Sequence, residues 1–228
     1  MNVKLISYSK PSREMYEEGL MDVQELVAFC ARVSNPSNQM NMDTADKLIR
    51  YLIKNKHWSP LEMVSACLEV TTTRDIARQM LRHRSFSFQE FSQRYADPTK
   101  ELEFVTREAR LQDTKNRQNS VEIVSDTEDD DFLIHEWNRR QQEVIDLVKE
   151  TYTWAIECGI AKEQARVVLP EGNTVSRLYM NGTLRSWIHF IELRSGNGTQ
   201  KEHMEVAREC ARVIAEVFPM ASEFVNNN

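Results

Sequence analysis

Cysteine, glycine and proline are scarce: the 228-residue chain has 4, 6 and 6 of them. The cysteines, Cys30, Cys67, Cys158 and Cys210, lie far apart and form no CxxC pair. That spacing excludes a disulfide framework and a cysteine-built zinc site. It predicts reduced, mostly packed thiols in a cytoplasmic protein that holds no metal. The glycines include no GxGxxG and no P-loop, so the two common glycine-built phosphate cradles are missing. No stretch approaches the roughly 18 apolar residues of a membrane helix. Met1 to Lys10 mixes polar and apolar residues, so a signal peptide is not expected. Positive charge is also in deficit, with 29 Lys and Arg against 35 Asp and Glu, a net charge of −6. The molecule as a whole therefore repels nucleic acid, and any anion site must be a local basic cluster working against the global field.

What is present predicts a soluble α+β domain. Apolar residues make up 41% of the chain, and a chain of this length buries roughly 70% of its unfolded surface. Strand signals fall at Val3–Tyr8, Ser65–Thr72 and Thr174–Met180, the last followed by a turn at Asn181-Gly182. Helical periodicity marks Asp22–Val33, Asp43–Lys56, Arg74–Arg84, Phe132–Cys158, Lys162–Leu169 and Leu184–Arg194. Ser59, Pro60 and Glu62 predict a helix start, and Thr199 with Glu202 a capping box for a last helix reaching Phe218. On the long helix, Leu133, Trp137, Val144, Val148, Tyr152 and Ala155 share the expected packing face, and Gly159 stops it. Ser85 to Tyr95 reads as irregular. Scattered strands among more numerous helices predict one domain over residues 1–228, with a small mixed or antiparallel sheet packed by several helices. Residues 112–131 read as an acidic surface insertion without chemistry.

The densest chemistry lies between Arg74 and Tyr95. On a continuous helix Arg78 and Arg82 share one face, Gln79 and His83 form the next row, and Ile76, Met80 and Leu81 anchor the far side. Arg82, His83 and Arg84 repel one another, and an anion offsets that repulsion through charge-assisted bonds to guanidinium. Ser87 and Ser92 add hydroxyls, and Glu90 can pair an arginine or accept from a ribose or base. A solvated basic face explains the same residues. A nucleic-acid surface also fits basic residues interleaved with Phe86, Phe88, Phe91 and Tyr95, against the acidic total charge. The residues alone leave an enzyme, a non-catalytic nucleotide or nucleic-acid binder, and a helical assembly protein open.

Arg82-His83-Arg84, seven residues and then Ser92-x-Arg94-Tyr95 resembles the signature of the flavin-dependent thymidylate synthases. Ala31-Arg32-Val33-Ser34, His57-x-Ser59-Pro60-x-Glu62, Ala165 to Pro170, Thr183 to Ser186 and Ile191 to Arg194 resemble further segments of that family, in the same order. The resemblance implies an α+β homotetramer that converts dUMP to dTMP. FAD is the cofactor, NADPH the reductant and methylenetetrahydrofolate the carbon donor, leaving tetrahydrofolate. It implies dUMP contacts at Gln79, Arg82, Glu90, Phe91, Ser92, Gln93, Arg94, Arg166 and Arg194, with Ser92 and Arg94 on phosphate. It makes Arg194 the expected catalytic residue, stabilising charge on the activated uracil. FAD contacts fall at Ser59, Arg82, His83, Arg84 and Glu90, with Ser34 beside them, and at Thr183, Arg185 and His189 of a neighbouring subunit. His57 lies near flavin and folate. His135 and His203 are expected on the surface. Thr183 and His189 depart from the family's usual asparagine, and Gly196-Asn197-Gly198 lacks a histidine some members carry. The closest ionisable neighbours of Ser92 by sequence are Glu90 and Arg94, with no Ser-His pair evident, which argues against a serine nucleophile.

Overall fold

Val3, Ala66, Leu68, Val70, Leu178 and Met180 point into one buried layer, because alternate residues of a strand face the same side. The computed structural model describes residues 1–226. Along the chain run β1 (Asn2–Tyr8), α1 (Arg13–Glu17), α2 (Val23–Ala31), α3 (Ala45–Lys54), β2 (Ser65–Thr73), α4 (Arg74–Met80), β3 (Ser87–Glu90) and α5 (Pro98–Glu101). They continue as β4 (Arg110–Gln112), β5 (Ser120–Glu122), α6 (Glu128–Glu157), α7 (Lys162–Ala165), β6 (Val175–Thr183), α8 (Leu184–Arg194) and α9 (Lys201–Ile214). The main sheet has the order β1-β2-β6-β3 and every pairing is antiparallel; β4 and β5 form a separate hairpin.

β2 and β6 pair along their whole length, from Ser65 opposite Thr183 to Thr73 opposite Val175. Each runs without a loop into a helix, so α4 and α8 start at opposite ends of the central strand pair. α8 is pinned to the sheet where Trp187 Nε1 donates to the Ala66 carbonyl at 3.0 Å. Trp187, Phe190, Phe86, Leu61 and Ile49 join the sheet's inner face and the buried sides of α2, α8 and α9 in one core. Each such side chain stabilises the fold by roughly 2 kcal/mol. Gly182 admits the Phe86 ring, because a Cβ there would lie 2.4 Å from Phe86 Cδ1. A second core joins the C-terminal half of α6 to α7, through Val148, Tyr152, Ala155, Ala165 and Leu169.

Several local expectations are corrected. β6 continues straight through Asn181-Gly182 rather than turning there. The Ser59-Pro60 signal yields only a 3-10 turn, Ser59–Glu62, without a side-chain cap. α3 begins at Ala45 rather than at Asp43. The Lys162–Leu169 helix divides into α7 and a 3-10 turn at Arg166–Val168. Ser85 to Tyr95 contains β3, whose Phe88 packs against the core, as does Phe86 just before the strand. Thr199 and Glu202 do not cap α9: Thr199 Oγ1 donates to the Leu193 carbonyl at 3.4 Å and Glu202 pairs with Arg110.

The acidic run is the first turn of α6, not a loop. Thr127 caps it by accepting from the Asp130 amide, and four carboxylates sit at the positive end of the helix dipole. Gly159, at φ 80°, ends the helix. Of the expected packing face, Val148, Tyr152 and Ala155 are buried, whereas Leu133, Trp137 and Val144 are exposed.

Candidate functional site

α4 ends at Met80, four residues short of the expected Arg84. The His83 amide bonds the Met80 carbonyl and the Phe86 amide the His83 carbonyl, turning the chain into β3. Arg82, His83 and Arg84 therefore sit on a turn, and the expected Arg78–Arg82 helical row does not form. The turn receives the C-terminus of α8. Arg194 Nε donates to His83 Nε2 at 2.9 Å. A guanidinium only donates, so His83 Nε2 is an acceptor and its proton lies on Nδ1. Burial, then the charge of Arg194, holds the His83 pKa down to about 4, so the ring is neutral near pH 7. Burial and neighbouring Arg82 lower the pKa of Arg194.

Beside this pair stands a group the sequence reading left on the surface. His203 is 0% exposed. Its Nδ1 lies 3.2 Å from Gln79 Oε1, and Gln79 Nε2 donates to Gln200 Oε1 at 2.8 Å. His203 packs 5.7 Å from the Phe190 ring and 6.4 Å from His83. The signal lay in the periodicity of α9, where His203 falls in line with Val206, Ala207 and Cys210.

A second cluster surrounds Glu90. Ser176 Oγ donates to Glu90 Oε1 at 2.8 Å, Arg74 pairs with it at 3.4 Å and Arg78 at 3.8 Å. Arg74 and Arg78 also reach Glu171. Arg166 lies near Arg74, whose pKa is lowered first by burial and further by the Arg78 and Arg166 charges. The Phe91 amide donates to the Arg177 carbonyl at 2.8 Å, which continues β3 pairing toward Ser92. Gln93 is buried, and Ser92 Oγ accepts from the Arg94 amide at 3.4 Å. Arg94 pairs with exposed Glu163 at 3.2 Å. Glu163 thus serves Arg94 rather than Arg166, and Arg194 bonds neither Glu192 nor Glu202 among the described residues.

The third group lies at the other end of α8. Thr183 Oγ1 caps the helix by accepting from the Ser186 amide at 3.3 Å, and Arg185 pairs with Glu62 at 2.5 Å. The exposed ring of His189 meets Trp58 edge-on at 4.5 Å, between His57 and Ser59. Ser34 borders a separate cavity of about 550 Å³ with Lys47 and Tyr51. Another cavity, of about 790 Å³, is walled by the β4–β5 hairpin, α6 and the start of α9; none of the expected site residues line it.

Charge compensation separates the first group from most other arginines. Arg74, Arg78, Arg107, Arg110, Arg139 and Arg185 all face carboxylates. Arg82, Arg84, Arg166 and Arg194 form no ion pair among the described residues. Of these, Arg82 lies close enough to Arg194 to lower its pKa, whereas Arg166 stands near Arg74; guanidiniums without carboxylates are the groups left to pair with an anion. No group of His, Cys, Asp and Glu able to hold a metal occurs among the described residues.

Residues 18–220 match the family model described as thymidylate synthase complementing protein. The chain is 48% identical over 219 residues to a probable flavin-dependent thymidylate synthase of Paramecium bursaria Chlorella virus 1, covering 96% of each chain. It is 47% identical to the flavin-dependent thymidylate synthase of Synechocystis sp., again over 96% of each. Among solved structures it resembles the UMP/dUMP methylase PolB of Streptomyces cacaoi bound with 5-Br dUMP. The TM-score is 0.76 at 26% identity, covering 98% of this chain and 93% of that one.

Proposed function

The chain belongs to the flavin-dependent thymidylate synthases, and from that premise we propose how its own residues carry out the reductive methylation of dUMP to dTMP. The supporting observation is the uncompensated cationic cluster in which Arg194 bonds a neutral His83.

Ser92 and Arg94 hold the nucleotide phosphate, with Arg82 and Arg166 adding charge. Arg94 is free to do so, because its pair with Glu163 is exposed and such pairs contribute only about 0–1 kcal/mol. Glu90, braced by Ser176 and Arg74, together with Phe91, Gln93 and Gln79, contacts the nucleoside. Arg194 stabilises negative charge as the uracil ring is activated. A half-buried cation crowded by Arg82 gains most when that charge appears, which makes the interaction stronger in the transition state than in the ground state.

The donors suit FAD. Arg82 and Arg84 lack carboxylate partners, His83 keeps a free Nδ1–H, and Ser59, Thr183 and Arg185 offer hydroxyls and a guanidinium. FAD, when bound, supplies hydride chemistry, with NADPH as reductant and methylenetetrahydrofolate as carbon donor. A thiol or alkoxide nucleophile has no support on this chain. Burial raises the Cys30 and Cys67 thiol pKa values, and that of Cys210 still further. Ser92 Oγ bonds no base among the described residues.

The flavin set is completed between subunits. As the family resemblance implies, one copy's Arg185, Thr183 and His189 serve another copy's Arg82, from the end of α8 that lies a rise of about 13 Å from Arg194. Val144, Leu147 and Trp154 form an exposed apolar stripe along α6, Leu147 at 63% and Trp154 at 59%. Such a stripe supports a subunit interface, as the homotetramer implied by the family resemblance requires. We read residues 1–228 as one domain with a surface insertion at 112–131; a single family match over residues 18–220 supports the one domain. A cytoplasmic location fits the four unpaired cysteines, and no helix of the described residues is long and apolar enough to cross a membrane.

The test is chromatographic. The purified protein is supplied with dUMP, methylenetetrahydrofolate, NADPH and FAD, and each is omitted in turn. Thymidylate that disappears with every omission supports the reading. An absence of product from protein that binds oligonucleotides and no flavin favours a nucleic-acid binder instead.

A further inference from the structure

Gln79 belongs to a hydrogen-bond chain whose direction is set at its far end. Although burial opposes it, backbone bonding and bonds from Arg110 and Gln200 hold the Glu202 carboxyl below its usual pKa. A carboxylate only accepts, so Gln200 must turn its amide nitrogen to Glu202, at 2.9 Å. That leaves Gln200 Oε1 facing Gln79, whose nitrogen donates to it at 2.8 Å. Gln79 Oε1 then faces His203 Nδ1 at 3.2 Å, and that nitrogen must carry the proton. Burial, then Arg194 and His83, hold the His203 pKa down to about 3, so its ring is neutral and carries that single proton.

The other nitrogen, His203 Nε2, is buried without a partner. An orphan acceptor in a core is destabilising, because it gives up its bond to water without replacement. Packing against Phe190 does not require it, and an apolar side chain of similar size would fill the space without that cost. Among these contacts the imidazole supplies one thing a hydrocarbon cannot, the Nδ1–H bond to Gln79.

We propose that His203 is a positioning residue: by donating to Gln79 Oε1 it locks the carboxamide in one orientation, leaving one Gln79 N–H for the base, a donor that selects a uracil carbonyl over a cytosine amino group. The inference rests on the preceding reading of Gln79 as a dUMP contact and goes beyond it to the origin of base specificity. A free amide rotates by half a turn and presents its carbonyl instead, which accepts from an amino group. Gln200 Oε1, fixed through Glu202, opposes that rotation on one side, and the His203 Nδ1–H opposes it on the other, because moving that proton to Nε2 would bury a donor without an acceptor.

The experiment uses the full chain loaded with FAD and compares His203→Leu, His203→Asn and Glu202→Gln with the wild type. Flavin content and thermal midpoint report folding. Steady-state turnover gives kcat and KM for dUMP, and dCMP is added as competing probe to give its Ki. In His203→Leu, KM for dUMP rises about tenfold with a much smaller change in kcat, and the ratio of dCMP Ki to dUMP KM falls about tenfold. Asparagine, whose side-chain N–H can reach the Nδ1 position, restores most of both. In Glu202→Gln the new amide keeps its oxygen on Arg110 and turns its nitrogen to Gln200, which reverses and lowers the same ratio. A purely structural role predicts changes in midpoint or flavin content without movement of that ratio. Folded, flavin-bound His203→Leu with a wild-type KM and ratio overturns the proposal, as does an asparagine variant no better than leucine. Should the leucine variant fail to fold, an unchanged ratio in Glu202→Gln overturns it. Failure of the wild type to turn over dUMP is a separate result, and it removes the functional reading itself.

Discussion

Histidines that fold neutral give the protein a defined acid sensitivity. His203 holds a pKa of about 3 against an ordinary 6.5. Below about pH 6.5 the unfolded chain takes up a proton that the folded chain refuses, so stability is full above that pH and falls as the pH drops toward the folded value. Between pH 6.5 and 5 the loss from His203 is about 2 kcal/mol. His83, held at about 4 by burial and Arg194, adds a smaller part because it is partly exposed. Thermal midpoints at pH 7 and pH 5 check this: the fall is smaller in His203→Leu, and equal falls count against it. Gly182→Ala tests a steric constraint. The new Cβ meets the Phe86 ring, which is held between Trp187 and Phe190, and the variant loses about 1–3 kcal/mol in urea denaturation. At this scale the sequence singled out Arg82, His83 and Glu90 for chemistry, and the structure seats His83 against Arg194 and Glu90 against Arg74. His203 was not. Its α9 periodicity was overruled by the assumption that an unassigned histidine is solvated.

Among the elements, those defined by local signals were readable and those defined by partners were not. α8 spans Leu184–Arg194 as the sequence predicts, since Thr183 caps it and apolar spacing carries it through. α4 carries helical periodicity to Arg84 but stops at Met80, because the chain must turn to pair β3 with β6. That pairing depends on residues almost a hundred positions away, which no local window contains. β3 did leave a trace in the alternation Ser85-Phe86-Ser87-Phe88. The Asn181-Gly182 pair imitates a hairpin turn, but its glycine answers to the Phe86 ring. The acidic run imitates a loop, while Thr127 makes it a helix start. Thr127→Ala removes a cap contributing about 1 kcal/mol. It should speed hydrogen exchange in the first turns of α6 while leaving the amides of β2 and β6 unchanged; equal acceleration throughout would falsify a local role for the cap.

For the molecule as a whole, α6 divides into a buried end and an apolar flank without cover. Val148, Tyr152 and Ala155 close the second core, whereas Leu147 and Trp154 face outward. Leu147→Glu combined with Trp154→Glu should shift sedimentation from an oligomer to smaller species and reduce thymidylate formation. Unchanged sedimentation would move the interface elsewhere. The fold class was legible at this scale because strand-like and helical segments intermingle along the chain. The strand order was not, since it joins distant segments. That order also bears on how the protein is made. β2 is complete early in synthesis, yet its partner β6 ends at Thr183, opposite Ser65 and more than a hundred positions later. Until then only β1 can satisfy one edge of β2, and the other edge stays open to foreign strands. Closing so long a loop is entropically slow. The nascent chain therefore passes through its most aggregation-prone stage just before the last fifth emerges, and slowed elongation at lower temperature should raise the soluble yield.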